Sequence, residues 1–121
     1  MKKIALVEDN PDNRLLVQVI LGDLYELASY ENGYDALEGM AKEKPDLVLL
    51  DISLPKMDGN ELLRRIRADE ALCDLPVIAL TAHAMAGDRA KYLAAGFADH
   101  VTKPIVDEEV LLASIRRGLD G

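Results

Sequence analysis

Short apolar runs alternate with longer stretches whose apolar residues return every three or four positions, and this two-beat pattern repeats five times along the chain. Ile4 to Val7, Leu47 to Leu50 and Val77 to Leu80 are near-continuous apolar runs, as expected of parallel strands covered on both faces. Tyr25 to Ser29 and Ala98 to Val101 are less apolar and are expected at the edges of the sheet. The stretches between them read as helices. The first is expected over residues 11 to 22, with Asn10 as its cap, Pro11 at its first position and Leu15, Leu16, Val19 and Ile20 on one face. Asn32 caps the second, which carries Ala36, Leu37, Met40 and Ala41 and cannot continue past Pro45. Asp58 followed by Glu61 resembles a capping box for the third, with Leu62, Leu63 and Ile66 as its buried stripe. The fourth, Ala84 to Ala95, is Ala-rich and closes on Gly96. The fifth starts near Asp107, places Leu111, Ile115 and Leu119 at i+4 steps and runs to the end of the chain.

Strands alternating with helices imply a parallel sheet with right-handed crossovers and helices on both faces. For five strands the expected architecture is the flavodoxin-like, doubly wound (βα)5 fold of order 2-1-3-4-5, with its ligand site beyond the carboxyl ends of the strands, where strands one and three diverge. With 121 residues, 50% of them apolar and 30% charged, the chain is expected to be one domain over 1–121 with no output domain. Fourteen Lys and Arg against 22 Asp and Glu give a net charge of −8, which argues against direct binding to the phosphate backbone of nucleic acid. The single Cys73 can form neither an internal disulfide nor a zinc site and reads as inert packing in a reducing compartment. The apolar run after Lys2 and Lys3 is too short for a signal peptide, and none reaches membrane length, so a cytoplasmic location is expected.

Only a few residues fall at the strand ends where the fold puts chemistry: Glu8 and Asp9 after strand one, Asp51 after strand three, Thr81 after strand four and Lys103 after strand five. Three neighbouring carboxylates cannot all stay ionised uncompensated, so either one holds a proton or a cation sits among them. A hard divalent ion is the simpler answer. Mg²⁺, for which Mn²⁺ can substitute, prefers oxygen ligands and leaves positions open for phosphate oxygens. With metal and ammonium charge neutralising the incoming oxygens, a carboxylate can attack phosphorus. Asp51 is central and reads as the nucleophile, Asp9 as a direct metal ligand and Glu8 as a ligand directly or through water. Lys103 supplies the ammonium, and Thr81 offers its hydroxyl to a phosphoryl oxygen.

Val7-Glu8-Asp9-Asn10, Leu50-Asp51-Ile52, Leu54-Pro55-Lys56-Met57-Asp58-Gly59, Thr81-Ala82 and Lys103-Pro104, in this order over the whole chain, resemble the response regulator receiver domain. The resemblance implies transfer of a phosphoryl group to Asp51 from a phosphohistidine of a histidine kinase or histidine phosphotransfer protein. It implies Mg²⁺ held by Glu8, Asp9, Asp51 and the backbone carbonyl of Ser53, and a cis peptide between Lys103 and Pro104. It also implies a signalling phosphoacceptor that switches binding to a protein partner and catalyses only its own phosphorylation and dephosphorylation. The segment Thr81 to Met85 looks most like single-domain receivers of the division-control or chemotaxis type, or like receivers of hybrid kinases.

His100 departs from the pattern: three residues before Lys103 the family commonly has a Tyr or Phe that swings inward when Thr81 moves toward the phosphoryl group. His100 is expected either to fill that slot, making the switch weaker or pH-sensitive, or to be a half-buried strand-end residue without that role. His83 either overhangs the pocket and, with Ser53, tunes hydrolysis, or is a solvated loop histidine. Met85 and Tyr92 are core filler or, with Ile105, part of a partner surface. Arg64, Arg65 and Arg67 read as the solvated face of the third helix, and Gly59 and Gly96 as backbone devices for turns and caps.

Three alternatives remain. A haloacid-dehalogenase-like phosphohydrolase would want a second Asp where Ser53 stands, and a cap insertion. A pseudo-receiver would bind its partner without phosphorylation, yet no motif residue is missing. A flavin-binding relative would want a Gly- and hydroxyl-rich loop where Glu8 and Asp9 repel phosphate.

Overall fold

Ten elements alternate along the chain in the computed structural model, which describes all residues except 83–87, 104, 106 and 121, and backbone alone at 88 and 89. They are β1 (Lys3–Val7), α1 (Pro11–Leu21), β2 (Glu26–Tyr30), α2 (Gly33–Lys42), β3 (Leu47–Asp51), α3 (Gly59–Ala68), β4 (Val77–Thr81), α4 (Asp88–Ala95), β5 (Asp99–Thr102) and α5 (Glu108–Asp120). The strands are all parallel and ordered β2-β1-β3-β4-β5, the doubly wound arrangement expected from the pattern. The two weaker strands are the edges, each shifted by one residue toward its C-terminus from the expected span.

Side chains alternate across the central strands and sort the core into two layers. Ile4, Leu6, Leu47, Leu49, Ile78 and Leu80 pack with Val17 and Leu21 of α1 and Leu111, Leu112 and Ile115 of α5. Ala5, Val7, Val48, Leu50, Val77 and Ala79 face α2, α3 and Tyr92 of α4. A buried polar link ties β5 to α5: Asp99 accepts from Ser114 Oγ at 2.8 Å and from Arg117 Nη2 at 2.7 Å.

The helix starts follow the capping residues. Asn10 Oδ1 accepts from the Asp12 and Asn13 amides at 2.8 and 3.3 Å, Asn32 Oδ1 from Asp35 at 2.9 Å and Asp58 Oδ1 from Glu61 at 2.9 Å. The box at Asp58 is completed on one side only, because the Glu61 carboxylate pairs with Arg64 instead. Gly96, at φ +110°, takes the left-handed conformation that closes α4. Of the expected fourth helix, the structure describes Asp88–Ala95, and the fifth begins at Glu108, one residue later than expected.

Three sequence expectations change. In α1 the core residues are Val17 and Leu21, while Leu15 and Val19 are 59% and 69% exposed. The run from Leu15 to Leu21 is apolar almost throughout, so periodicity alone left the rotation of the helix open; Arg14, turned inward, sets it. Cys73 is exposed rather than packed, because the loop before β4 turns Leu72 and Leu75 inward on either side of it. Arg67 is not part of a solvated face. Its guanidinium donates to the carbonyls of Cys73, Leu75 and Gly96 at 3.1, 2.7 and 2.8 Å, tying α3 to the loops that lead into β4 and β5. No helix among the described residues is long and apolar enough to cross a membrane.

Candidate functional site

Three neighbouring strands deliver Glu8, Asp51 and Thr81 to one edge of the sheet. Glu8 directly follows β1, and its amide still bonds to the Tyr30 carbonyl of β2 at 3.0 Å, so the chain leaves the sheet only at Asp9. Asp51 is the last residue of β3 and pairs in register with Leu80, which puts Thr81 one step beyond it on β4. Thr81 in turn pairs with Thr102, and its carbonyl accepts the Lys103 amide at 2.7 Å. Residues 95 positions apart in sequence thereby meet: Lys103 Nζ lies 3.0 Å from Glu8 Oε1 and 3.0 Å from Asp51 Oδ2.

Glu8, Asp51 and Thr81 are 0%, 2% and 4% exposed, whereas Asp9 is open to solvent. One carboxylate oxygen from each of Glu8, Asp9 and Asp51 lies within 4.8 Å of the others, a spacing that one cation can bridge. Asp51 Oδ1 accepts the Ser53 amide at 3.0 Å, so the loop after β3 orients the carboxylate by a backbone donor. Gly59 allows that loop to return. A Cβ there would stand 2.8 Å from the Asp51 carbonyl oxygen and 2.8 Å from Ile52 Cα, and the Gly59 amide bonds to the Ile52 carbonyl at 3.0 Å.

The charges of this cluster are unequal. Burial, then the hydrogen bond and negative charge of Asp51, push Glu8 up to about 7 against the pull of Lys103. For Asp51 burial is again the largest effect and would raise its pKa, but the bonds from Glu8, the Ser53 amide and Lys103 together outweigh it and hold the carboxyl below its ordinary value. Burial likewise opposes the charge on Lys103, and Asp51 and Glu8 more than compensate, raising its pKa. Glu8 Oε2 is buried without a donor among the described residues. A proton shared with Asp51, or a cation between the carboxylates, would satisfy it. A cluster of hard oxygens with an orphaned acceptor, open to solvent on the Asp9 side, suits Mg²⁺.

Two contributors escaped the sequence reading. Arg14 Nη1 donates to the carbonyls of Glu8 and Asp9 at 2.9 and 3.0 Å, clamping the turn between β1 and α1. Its signal was a cation near the positive end of a helix, where the dipole disfavours it unless carbonyls accept its hydrogen bonds. Tyr92, read as core filler or part of a partner surface, is core at 7% exposed; what the sequence did not show is that its hydroxyl donates to Thr81 Oγ1 at 3.1 Å. It is the described residue that anchors α4 to the sheet, which is why it is buried. The His100 ring lies against that of Tyr92, with centroids 5.4 Å apart. Ile105 is half-buried and borders a groove with His100, Lys103 and Val110. His83, Met85 and Pro104, and with Pro104 the cis peptide expected after Lys103, lie outside the described residues.

A doubly wound parallel sheet with an acidic cluster and a lysine at its switch point defines a class of α/β domains. Within that class the chain belongs to the response regulator receiver domain family, whose model matches residues 4–116; these domains are phosphoacceptors of two-component signalling. It is 43% identical over 112 residues to the sensor protein GacS of Pseudomonas syringae pv. syringae, a match covering 89% of this chain and 12% of GacS. It is 38% identical over 109 residues to the polar-differentiation response regulator DivK of Brucella anthropi, covering 86% of this chain and 85% of DivK. Among solved structures it resembles the receiver domain of a sensor histidine kinase from Pseudomonas aeruginosa PAO1, which has a magnesium ion coordinated in its active-site cleft. The TM-score is 0.87 at 36% identity, covering 99% of this chain and 98% of that one. Similar receivers thus occur both as a small part of a long kinase and as nearly a whole protein.

Proposed function

We propose that this chain accepts a phosphoryl group on Asp51 from the phosphohistidine of a histidine kinase or histidine phosphotransfer protein, and that the modified form binds a protein partner differently. The observation that carries this reading is the state of Asp51: a buried carboxylate at a strand end, kept ionised and oriented by Lys103 Nζ at 3.0 Å and the Ser53 amide at 3.0 Å. A buried carboxylate held in its charged form is a preorganised nucleophile. A carboxylate oxygen of Asp51 forms the new O–P bond as the donor's P–N bond breaks, and the imidazole leaves with the electron pair of that bond. Lys103 then turns its ammonium to a phosphoryl oxygen, and Thr81 donates its hydroxyl to another.

Glu8, Asp9 and Asp51, with the Ser53 carbonyl, would hold Mg²⁺, and Mn²⁺ can substitute. When bound, the ion neutralises charge on the phosphoryl oxygens. The chain catalyses only its own phosphorylation and dephosphorylation, and acts in the cytoplasm, where histidine kinases present their phosphohistidine. Two residues after Asp51, where a haloacid-dehalogenase-like phosphohydrolase would want a second Asp, stands Ser53, which offers Asp51 its amide, so sustained hydrolysis of phosphate esters is not expected.

The test is intact mass after incubation with acetyl phosphate and Mg²⁺. One phosphoryl adduct is expected, absent in chelator and absent in Asp51→Asn. A folded protein that gains no adduct from acetyl phosphate or from phosphohistidine donors would overturn the reading in favour of a pseudo-receiver.

A further inference from the structure

Thr81 has two claims on it. In the reading above its hydroxyl serves the phosphoryl group on Asp51, yet in the structure Thr81 Oγ1 accepts a hydrogen bond from Tyr92 at 3.1 Å. Tyr92 is also the means by which α4 is seated. Of the described α4 side chains, residues 90–95, it alone is buried, while Leu93 beside it is 43% exposed. Its ring is held edge-on by Phe97, with centroids 5.8 Å apart at 84°, and at a tilt by His100, at 5.4 Å and 33°. His100 occupies the β5 position three residues before Lys103. Its Nδ1 is buried without a partner among the described residues. It therefore offers Tyr92 a ring and offers Thr81 no hydroxyl.

We propose that Tyr92 is the residue through which the state of Asp51 is transmitted to α4, by means of its hydroxyl bond to Thr81. The inference rests on the phosphoacceptor reading of Asp51. A threonine hydroxyl carries one proton, and pointing it at a phosphoryl oxygen requires Oγ1 to turn about the Cα–Cβ bond. That turn takes away the acceptor on which the buried Tyr92 hydroxyl depends. A buried hydroxyl without a partner is disfavoured, so Tyr92 moves to find another, and α4 loses the one described side chain that seats it. The aromatic position on β5, where the family's inward-swinging ring is expected, here acts as the wall of the Tyr92 pocket. The coupling is reciprocal: a partner that holds α4 in the displaced position frees Thr81 for the phosphoryl group and so favours phosphorylation. Tyr92 is a positioning residue in this account and touches neither phosphate nor metal.

The experiment uses protein labelled with 3-fluorotyrosine, which reports on Tyr25, Tyr30, Tyr34 and Tyr92; the Tyr92 fluorine line is the one missing in Tyr92→Phe. Acetyl phosphate and Mg²⁺ are added, and intact mass on the same sample reports modification of Asp51. The expected result is a displaced Tyr92 line in the phosphorylated protein. In Thr81→Val the line is already displaced before acetyl phosphate is added, and it moves little afterwards; Thr81→Ser, which restores a hydroxyl, restores the wild-type response. Tyr92→Phe keeps the ring and its packing, so it folds. Its α4 amides lose protection from hydrogen exchange about fivefold in the unmodified state, the equilibrium weight of one neutral hydrogen bond, and phosphorylation lowers them little further. A phosphoryl adduct with an unmoved Tyr92 line, or a Tyr92→Phe protein whose α4 exchanges as wild type in both states, overturns the inference alone. Failure to form any adduct overturns the phosphoacceptor reading and this inference with it.

Discussion

Glu8 and Asp51 lie side by side at the end of the sheet with one ammonium between them, and they share the resulting charge unevenly. In chelator the folded protein keeps the Glu8 proton up to about pH 7, whereas an unfolded glutamate releases it near 4.5. Between these values the folded state binds more protons than the unfolded state, so stability falls as pH rises through the window. Asp51 has the opposite sign: its pKa is held below 3.8, so its contribution is present above that value and is lost as pH falls below it. The expectation is that the urea midpoint of the wild type declines between pH 4.5 and 7 and that Glu8→Gln, which mimics the protonated acid, flattens this decline. A wild-type slope retained in the variant would show that Glu8 does not hold that proton. The same uneven sharing explains why the sequence reading could find the carboxylates yet leave open whether a proton or a cation compensates them. The choice depends on burial and on 3.0 Å contacts between strands, neither of which is written in the motif.

Elements position these residues through their ends more than through their lengths. β3 stops at Asp51 because the chain must turn back under α3, and Gly59 at the first position of α3 is where the two backbones come closest. Gly59→Ala is expected to push the Asp51–Ile52 backbone aside, at a cost of about 1–3 kcal/mol typical of overpacking, and to slow Asp51 phosphorylation. Urea unfolding and the rate of adduct formation by intact mass measure the two effects, and a variant unchanged in both would contradict the close approach. Sequence marked Gly59 as a turn device but did not show what it avoids, since the obstacle is main chain from another element. Helix α1 teaches the same lesson. Its start was legible from Asn10 and Pro11, but not its rotation, because the run from Leu15 to Leu21 is apolar on nearly every side. The bonds of Arg14 to the Glu8 and Asp9 carbonyls choose which of those residues face the sheet.

For the molecule as a whole, the acidic edge is a place where folding and proton binding are linked, and where a cation held by Glu8, Asp9 and Asp51 would be linked to both. An ion that binds only the folded cluster raises stability by mass action. Because the ligands must be ionised, it competes with the Glu8 proton whose pKa lies at about 7. Addition of Mg²⁺ is therefore expected to raise Tm, and to raise it more at about pH 8 than at about pH 6, with the gain lost in Asp51→Asn; scanning calorimetry reads this directly. An equal gain at both pH values would mean that Glu8 is not among the groups displaced. The alternation of five apolar runs with five amphipathic stretches was enough to predict a parallel sheet and the strand ends at which Glu8, Asp9, Asp51, Thr81 and Lys103 stand, while the order 2-1-3-4-5 was the natural choice for five strands and is the one the structure has. That much follows from local periodicity and chain chirality, which every segment carries in its own residues. The rotation of α1, the inward grip of Arg67, the exposure of Cys73, the raised pKa of Glu8 and the hydroxyl bond from Tyr92 to Thr81 were decided only by the folded structure. The shift at Glu8 depends on burial and on Asp51 and Lys103, the latter brought by the fold to 3.0 Å from 95 positions away, and the others on how loops and helix ends fold back on neighbouring elements, which periodicity does not record.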